Sequence, residues 1–298
     1  MKGKKRFTIG VLRAIGVCAL VGILIGALAF LEKDHSVEPA QIIFAGTKDD
    51  ADCAILQSGG SCVVIDTGEA QDAEHILELL RERQIEKIDC LILTHPDKDH
   101  IGGAPALLDA LPVKMVVCPY YNKDNTPYRD LQEKMEALGV SQLVPSRDRV
   151  LVFGDLKLQI WPPEDFYYEK DNDYSIAVLV EHGSVNLLFA GDAQKQRLQE
   201  LEQREFPDID LYKVAYHGRD SSHSAQLIRQ IEPRLAVVTA KEPLGETADA
   251  LKEVSAQVLC TLGQDYFMES NGDTLEWKRL SASEILNGTD ADGRFSYL

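Results

Sequence analysis

"THPDKDHIGG", residues 94–103, follows directly on the apolar run "CLIL" and packs two histidines and two aspartates into six positions. A buried strand that stops abruptly in imidazoles and carboxylates can present them to a ligand from a rigid sheet edge. That donor mixture suits zinc, manganese or iron. His95, Asp97 and Asp99 alternate, so an extended segment brings them to one side, and His100 adds a second imidazole. The competing account is a polar turn whose aspartates cap the following helix.

Three other segments repeat the arrangement. "VVIDTG" ends an apolar strand in Asp66, "LLFAGD" ends another in Asp192, and "LYKVAYHG" ends a third in His217, each with glycine nearby. Four independent strands that each deliver an acid or imidazole point to one shared edge.

Around these segments the periodicity alternates. "QIIFAG" and "CAILQSGGSCVVIDTG" read as strands, the latter two joined by a tight Ser-Gly-Gly turn. "DAEHILELLRERQ" spaces Ile76, Leu77, Leu79 and Leu80 as a helix, and further helices fall near "APALLDAL" and "YRDLQEKMEALG". From residue 142 short strands return, followed again by alternating helices and strands. Strand-rich blocks with helices in both halves predict an α/β fold of two sheets packed face to face with helices outside.

The N-terminus carries a basic head (Lys2, Lys4, Lys5, Arg6) and then 18 uncharged residues, Ala14 to Leu31. That run lies within the roughly 17–25 residues of a transmembrane helix and exceeds a signal-peptide core of about 7–15. Residues 1–33 therefore read as one transmembrane signal-anchor, with the head cytoplasmic and the remainder extracytoplasmic: a single-pass cell-membrane protein. Cleavage at "ALA", residues 27–29, is the other reading. Residues 34–40 form a juxtamembrane linker, 41–280 the main domain, and 281–298 a polar tail.

The net charge of −17 becomes −22 once the basic first 33 residues are set aside. Such a surface repels polyanions, which argues against strong nonspecific nucleic-acid binding but not against a phosphodiester held by metals. Beyond the anchor five cysteines remain, with no CxxC pair; four sit in apolar runs and read as small core residues rather than a disulfide framework.

Taken together, His95-x-Asp97-x-Asp99-His100 with Asp66, Asp192 and His217 resembles the metallo-β-lactamase superfamily, whose signature is His-x-His-x-Asp-His. The resemblance runs from about Gln41 to Lys278 and implies an αββα sandwich with a two-metal site. By position it implies His95 and Asp97 at the first metal, and Asp99, His100, Asp192 and His217 at the second, with Asp192 bridging and Asp66 supporting from beneath. Asp99 would also orient the attacking water. The third histidine of the first site is absent: Asn172 in "NDYS" stands about where it should be, making Asn172 and Ser175 candidate first-metal or substrate contacts. His182, in "VEHGSV", reads as a surface residue of a hairpin, and His75 likewise as an exposed helix residue.

Asp97 in place of histidine, "N-D-x-S", and "H-G" followed by "SS" narrow the resemblance to the metallo-β-lactamase domain of ComEC-type DNA-uptake proteins. Against that subgroup's "HHGS" the chain has "YHGRDSSHS", where Arg219 either faces a substrate phosphate or pairs with local acids, and where capping by a neighbouring serine accounts for His223. The channel segments of that subgroup are not readable here. The resemblance implies a hydrolase with two divalent ions, zinc or manganese, which lower the pKa of a shared water and clamp a phosphoryl or acyl oxygen. A phosphodiesterase or nuclease acting on DNA, nucleotides or wall polymers is the leading expectation. Hydrolysis of acyl substrates such as lactams or esters, or a noncatalytic binding module, are the alternatives.

Overall fold

A computed structural model of the chain describes residues 37–280 and 296–297. The chain divides into units Met1–Val37 and Glu38–Leu298, and the architecture below is that of the second. The proposed anchor lies outside the described residues. Among the described residues no helix is long and apolar enough to cross a membrane.

Two sheets face each other. The first holds nine strands in the order β16-β15-β14-β1-β2-β3-β4-β5-β6. They are β1 (Ala40–Phe44), β2 (Ala54–Ser58), β3 (Ser61–Ile65), β4 (Cys90–Ile92), β5 (Met115–Val117), β6 (Ser141–Leu143), β14 (Tyr266–Ser270), β15 (Leu275–Arg279) and β16 (Ser296–Tyr297). The second, ordered β13-β12-β11-β10-β9-β8-β7, comprises β7 (Arg149–Phe153), β8 (Leu156–Trp161), β9 (Ala177–His182), β10 (Val185–Phe189), β11 (Leu211–Lys213), β12 (Leu235–Val238) and β13 (Gln257–Cys260).

Alternation along each strand explains the layering. In β1, Ile42 and Phe44 enter the core between the sheets, while Ile43 faces the helices outside. In β10, Leu187 and Phe189 point inward and Leu188 outward. A strand buried on both faces must be apolar at every position, which is why these segments read as continuous hydrophobic runs. Outside the first sheet lie α1 (Ala73–Glu82), the short α2 (Lys98–Ile101), α3 (Ala104–Ala110) and α4 (Thr126–Leu138). Outside the second lie α5 (Lys195–Leu201), α6 (Ser224–Ile231) and α7 (Gly245–Glu253). Helix α1 seals its layer with Ile76, Leu79 and Leu80, and α6 does so with Leu227, Ile228 and Ile231.

The Ser-Gly-Gly hairpin forms as its sequence demands: Gly59 and Gly60 take φ of 54° and 73°, the left-handed pair that a two-residue turn between twisted strands requires. The segment read as a polar tail differs from expectation at its end, because Ser296–Tyr297 return to pair antiparallel with Glu276 and Trp277. No described cysteine forms a disulfide.

Registry gathers the site. Strands β3, β4 and β5 are mutually parallel, as are β10, β11 and β12, so their C-terminal ends open at common edges. Antiparallel pairing of Ala54 with Ile65 brings the start of β2 to the same edge, and pairing of Val178 with Phe189 does so for the start of β9. Gly191, at φ 53°, lets the loops of the two sheets meet: a Cβ there would lie 2.8 Å from Thr94 Oγ1 and 2.9 Å from Ser175 Oγ.

Candidate metal centre

The motif loop differs from an extended ladder. Asp97 ends the extended part, with φ −78° and ψ 149°, and Lys98–Ile101 wind into the single turn of α2. His100 and Asp99 therefore reach the centre from a helical turn, while His95 reaches it from the strand end. The other site residues, Asp66, Asp192 and His217, also stand past their strands: β3 stops at Ile65, β10 at Phe189 and β11 at Lys213. Asp66 and His217 adopt left-handed φ of 57° and 52°, conformations that non-glycine residues keep only where the surroundings enforce them.

Asp66 is the brace beneath the centre. It accepts hydrogen bonds from Thr94 N and Thr94 Oγ1, each at 2.7 Å, and meets His100 Nδ1 at 2.7 Å. That contact fixes the His100 ring and turns Nε2 toward Asp192 Oδ1, 3.2 Å away. From the second sheet, His217 Nε2 lies 3.0 Å from Asp192 Oδ2 and 3.3 Å from Asp99 Oδ2. On the other side, His95 Nε2 lies 3.6 Å from Asp97 Oδ2.

His95 Nε2, His100 Nε2, His217 Nε2 and Asp192 Oδ1 are all buried, and none makes a well-aligned hydrogen bond, although the His100 and His217 nitrogens face Asp192 at 3.2 and 3.0 Å. Four such polar atoms converging in one place would be costly for the fold, and they match the donor set of a divalent transition metal. The electrostatics agree. Burial alone would push the His100 and His217 imidazoles down, yet Asp192 and the neighbouring carboxylates outweigh it and hold both well above the ordinary histidine value. Burial raises the carboxyl of Asp99, but His217 and His100 bring it below its usual range. The chamber thus has a negative field that favours a cation.

Two central residues were not legible as site residues in the sequence. Asp52, buried just before β2, accepts from Thr239 Oγ1 at 2.6 Å and approaches His217 Nδ1 at 3.2 Å and His100 Nδ1 at 3.7 Å. Its carboxylate also pairs with the buried ammonium of Lys213, which donates to Gly191 O at 3.1 Å and lies 3.7 Å from Asp192 Oδ1. Asp52, His100, Asp192 and His217 offer ligand atoms within 4.8 Å of one another. Asp52, however, meets both imidazoles on their Nδ1 side and is already neutralised by Lys213, so it orients rings whose Nε2 atoms face the centre. A lysine inside the apolar run "LYKV" was the available signal, since lysine is rarely buried without a partner.

The remaining candidates divide. Asn172 Nδ2 reaches Asp192 Oδ2 at 3.3 Å, and Ser175 Oγ accepts from Asp192 N at 3.0 Å, so both touch the central aspartate. Arg219 donates to Asp50 at 2.7 Å, the pairing with a local acid. His182 is fully buried rather than on the surface: its ring bridges Ser270 Oγ at 2.8 Å and Glu38 O at 2.9 Å, stapling β9 to β14 and the chain entering β1. His75 is half-buried against Asp265, and His223 meets Glu202 at 3.0 Å.

This is the architecture of a metal-binding hydrolase fold, and the chain belongs to the metallo-beta-lactamase superfamily, whose pattern matches residues 46–240. The chain is 28% identical over 241 residues to ComE operon protein 3 of Bacillus subtilis (strain 168), covering 76% of this chain and 31% of that protein. It is also 28% identical over 190 residues to Recombination protein 2 of Haemophilus influenzae, covering 62% of this chain and 22% of that one. The chain thus spans about a third or less of the length of these relatives. Among solved structures, the metallo-beta-lactamase fold protein YhfI from Bacillus subtilis superposes with a TM-score of 0.55 at 13% identity, over 78% of this chain and all of that one, a likeness of fold alone. The narrower ComEC-type resemblance accords with the first of these relatives.

Proposed function

We propose that the protein is a metal-dependent phosphodiesterase, anchored in the cell membrane by its N-terminal run with the sandwich extracytoplasmic. The observation that carries the metal-dependent reading is the convergence of His95 Nε2, His100 Nε2, His217 Nε2 and Asp192 Oδ1, buried and without well-aligned hydrogen bonds. The resemblance to ComEC-type DNA-uptake proteins, with which the similarity to ComE operon protein 3 accords, and the replacement of the third histidine by Asn172 favour phosphodiesters over lactams.

In this reading Asp99, His100, Asp192 and His217 would hold one ion, and His95 and Asp97 beside Asp192 would hold a second, either zinc or manganese. A half-turn of the Asn172 amide would present its oxygen there in place of its nitrogen. Bound ions supply a nucleophilic water near neutrality and charge stabilisation for the phosphoryl oxygens. Asp99 retains 21% side-chain exposure and turns Oδ2 toward His217, so its carboxylate would both bind and orient the attacking water. Asp66 and Asp52 keep the histidine rings in register, and Lys213 restrains Asp192. Because the outer surface is acidic, affinity for polyanions rests on the centre rather than on a basic face.

The test combines elemental analysis of the purified chain with turnover of single-stranded DNA, a phosphodiester dye, a lactam and a thioester. Bound metal with cleavage of the first two is expected; cleavage confined to the lactam or thioester would overturn the substrate class. Protease added to intact cells should digest the sandwich, and protection until lysis would overturn the topology.

A further inference from the structure

Beside the metal centre stands an unexplained set of rings. Tyr120, Phe166 and Tyr167 are 49%, 69% and 63% exposed and are the exposed large aromatics among the described residues. The other exposed large hydrophobics, such as Val150 and Val152, are aliphatic. Tyr120 follows β5 and the other two follow β8, whose last residue, Trp161, pairs with Ala177 at the start of β9, so both loops open at the site edge. Tyr120 and Phe166 meet edge to face at 5.6 Å, joining the loops across the two sheets.

The loops that carry the rings are tied to the centre. Tyr121 Oη donates to Asp171 at 2.9 Å, and Asn172, next in the chain, reaches Asp192. Asn125 Nδ2 donates to the carbonyl of Pro96 within the motif loop at 3.3 Å. The rings are also mounted rigidly. Tyr168, adjacent to Tyr167, is fully buried, donates to Glu200 at 2.6 Å and packs against Tyr174 at 5.2 Å. Exposed aromatic faces on an anchored loop lose little entropy when a flat partner covers them.

Charge narrows the partner. Lys123 stands 5.5 Å from the Tyr167 ring, but its ammonium is bound by Asp171 at 2.7 Å and so is not free for a phosphate. The loop of Phe166 and Tyr167 also carries Glu164, Asp165 and Glu169 against one basic residue, Lys170. This net acidity gives a phosphate backbone little hold on the patch itself, so binding there falls to ring stacking, which needs no positive charge. We propose that Tyr120, Phe166 and Tyr167 form a stacking subsite for an unpaired nucleobase whose own phosphodiester lies at the metal centre. The proposal rests on the phosphodiesterase reading and specifies its substrate as single-stranded nucleic acid, since pairing hides the faces that the rings need.

The test measures binding of the full chain, by fluorescence anisotropy, to two labelled hexamers with phosphorothioate linkages, one of thymine nucleotides and one abasic, at equal salt and equal charge. The wild type should prefer the thymine chain by about tenfold or more, and Phe166→Ala or Tyr120→Ala should each remove most of that preference while leaving the abasic affinity unchanged. Tyr167→Phe should retain it. Equal affinity for the two hexamers, a preference unmoved by the alanine variants, or equal binding of a thymine–adenine duplex would overturn the subsite. Failure of every substrate to be hydrolysed would instead overturn the phosphodiesterase reading, and the binding ratio would still decide the subsite.

Discussion

Lys213→Met is the sharpest probe of how the two sheets are joined at the centre. Methionine keeps most of the stem and volume but removes the ammonium from a position where Lys213 and Asp52 are only 3% and 6% exposed. Breaking a buried pair from one side costs about 3–5 kcal/mol, because the surviving charge stays desolvated. Asp52 would retain Thr239 Oγ1 at 2.6 Å and His217 Nδ1 at 3.2 Å, which places the expected loss near the lower end, about 3 kcal/mol. For a domain of this size that corresponds to roughly 6–12 °C in Tm. Urea unfolding with chelator present measures the loss without a metal contribution. Asp52→Asn combined with Lys213→Met should recover a substantial part, since no lone carboxylate remains. A Lys213→Met protein within about 1 kcal/mol of wild type, or a double variant no better than the single, would refute the reasoning.

Asp97→Ala should lower metal content by one ion of two and abolish hydrolysis with little change in stability, because Asp97 stands at the start of α2 but makes no capping hydrogen bond; unchanged stoichiometry by elemental analysis would remove it from the ligand set. His100→Ala and His217→Ala should each lose metal. His182→Ala should keep its metal yet lose about 1–3 kcal/mol, since the buried ring that joins Ser270 and the Glu38 carbonyl is removed, as denaturation would show. For His75, the hydrogen bond to Asp265 raises its pKa above the ordinary value despite the opposing effect of burial, with Glu78 and Asp72 adding to the rise. Its stabilising contribution should therefore be complete below about pH 6.5 and fade as pH rises through the elevated folded value. A constant Tm difference from His75→Gln between acidic and alkaline pH would contradict this.

The continuous apolar runs around Ile42, Val63 and Leu187 made the two-sheet sandwich readable, because strands buried on both faces cannot alternate with polar residues. The ends of such runs also showed where candidate site residues would appear, since His95, Asp192 and the bracing Asp66 stand just past them. What strand periodicity could not show was the local path beyond each strand: Asp66 and His217 turn through left-handed backbone, and Asp99 and His100 arrive on a helical turn rather than on an extended ladder. The burial of His182 was equally invisible, because its partners, Ser270 and Glu38, lie far away in the chain.

The chain's own order of residues determined the layers, the glycine turn between β2 and β3, and most of the candidate donors, because periodicity and strand endings are local properties. Tertiary structure alone brought Asp52 from the first sheet against Lys213, Thr239 and His217 from the second, and set exposed rings from two separate loops side by side. Those juxtapositions depend on the registry of strands far apart in sequence, and local spacing does not encode which loop a neighbouring sheet will place opposite.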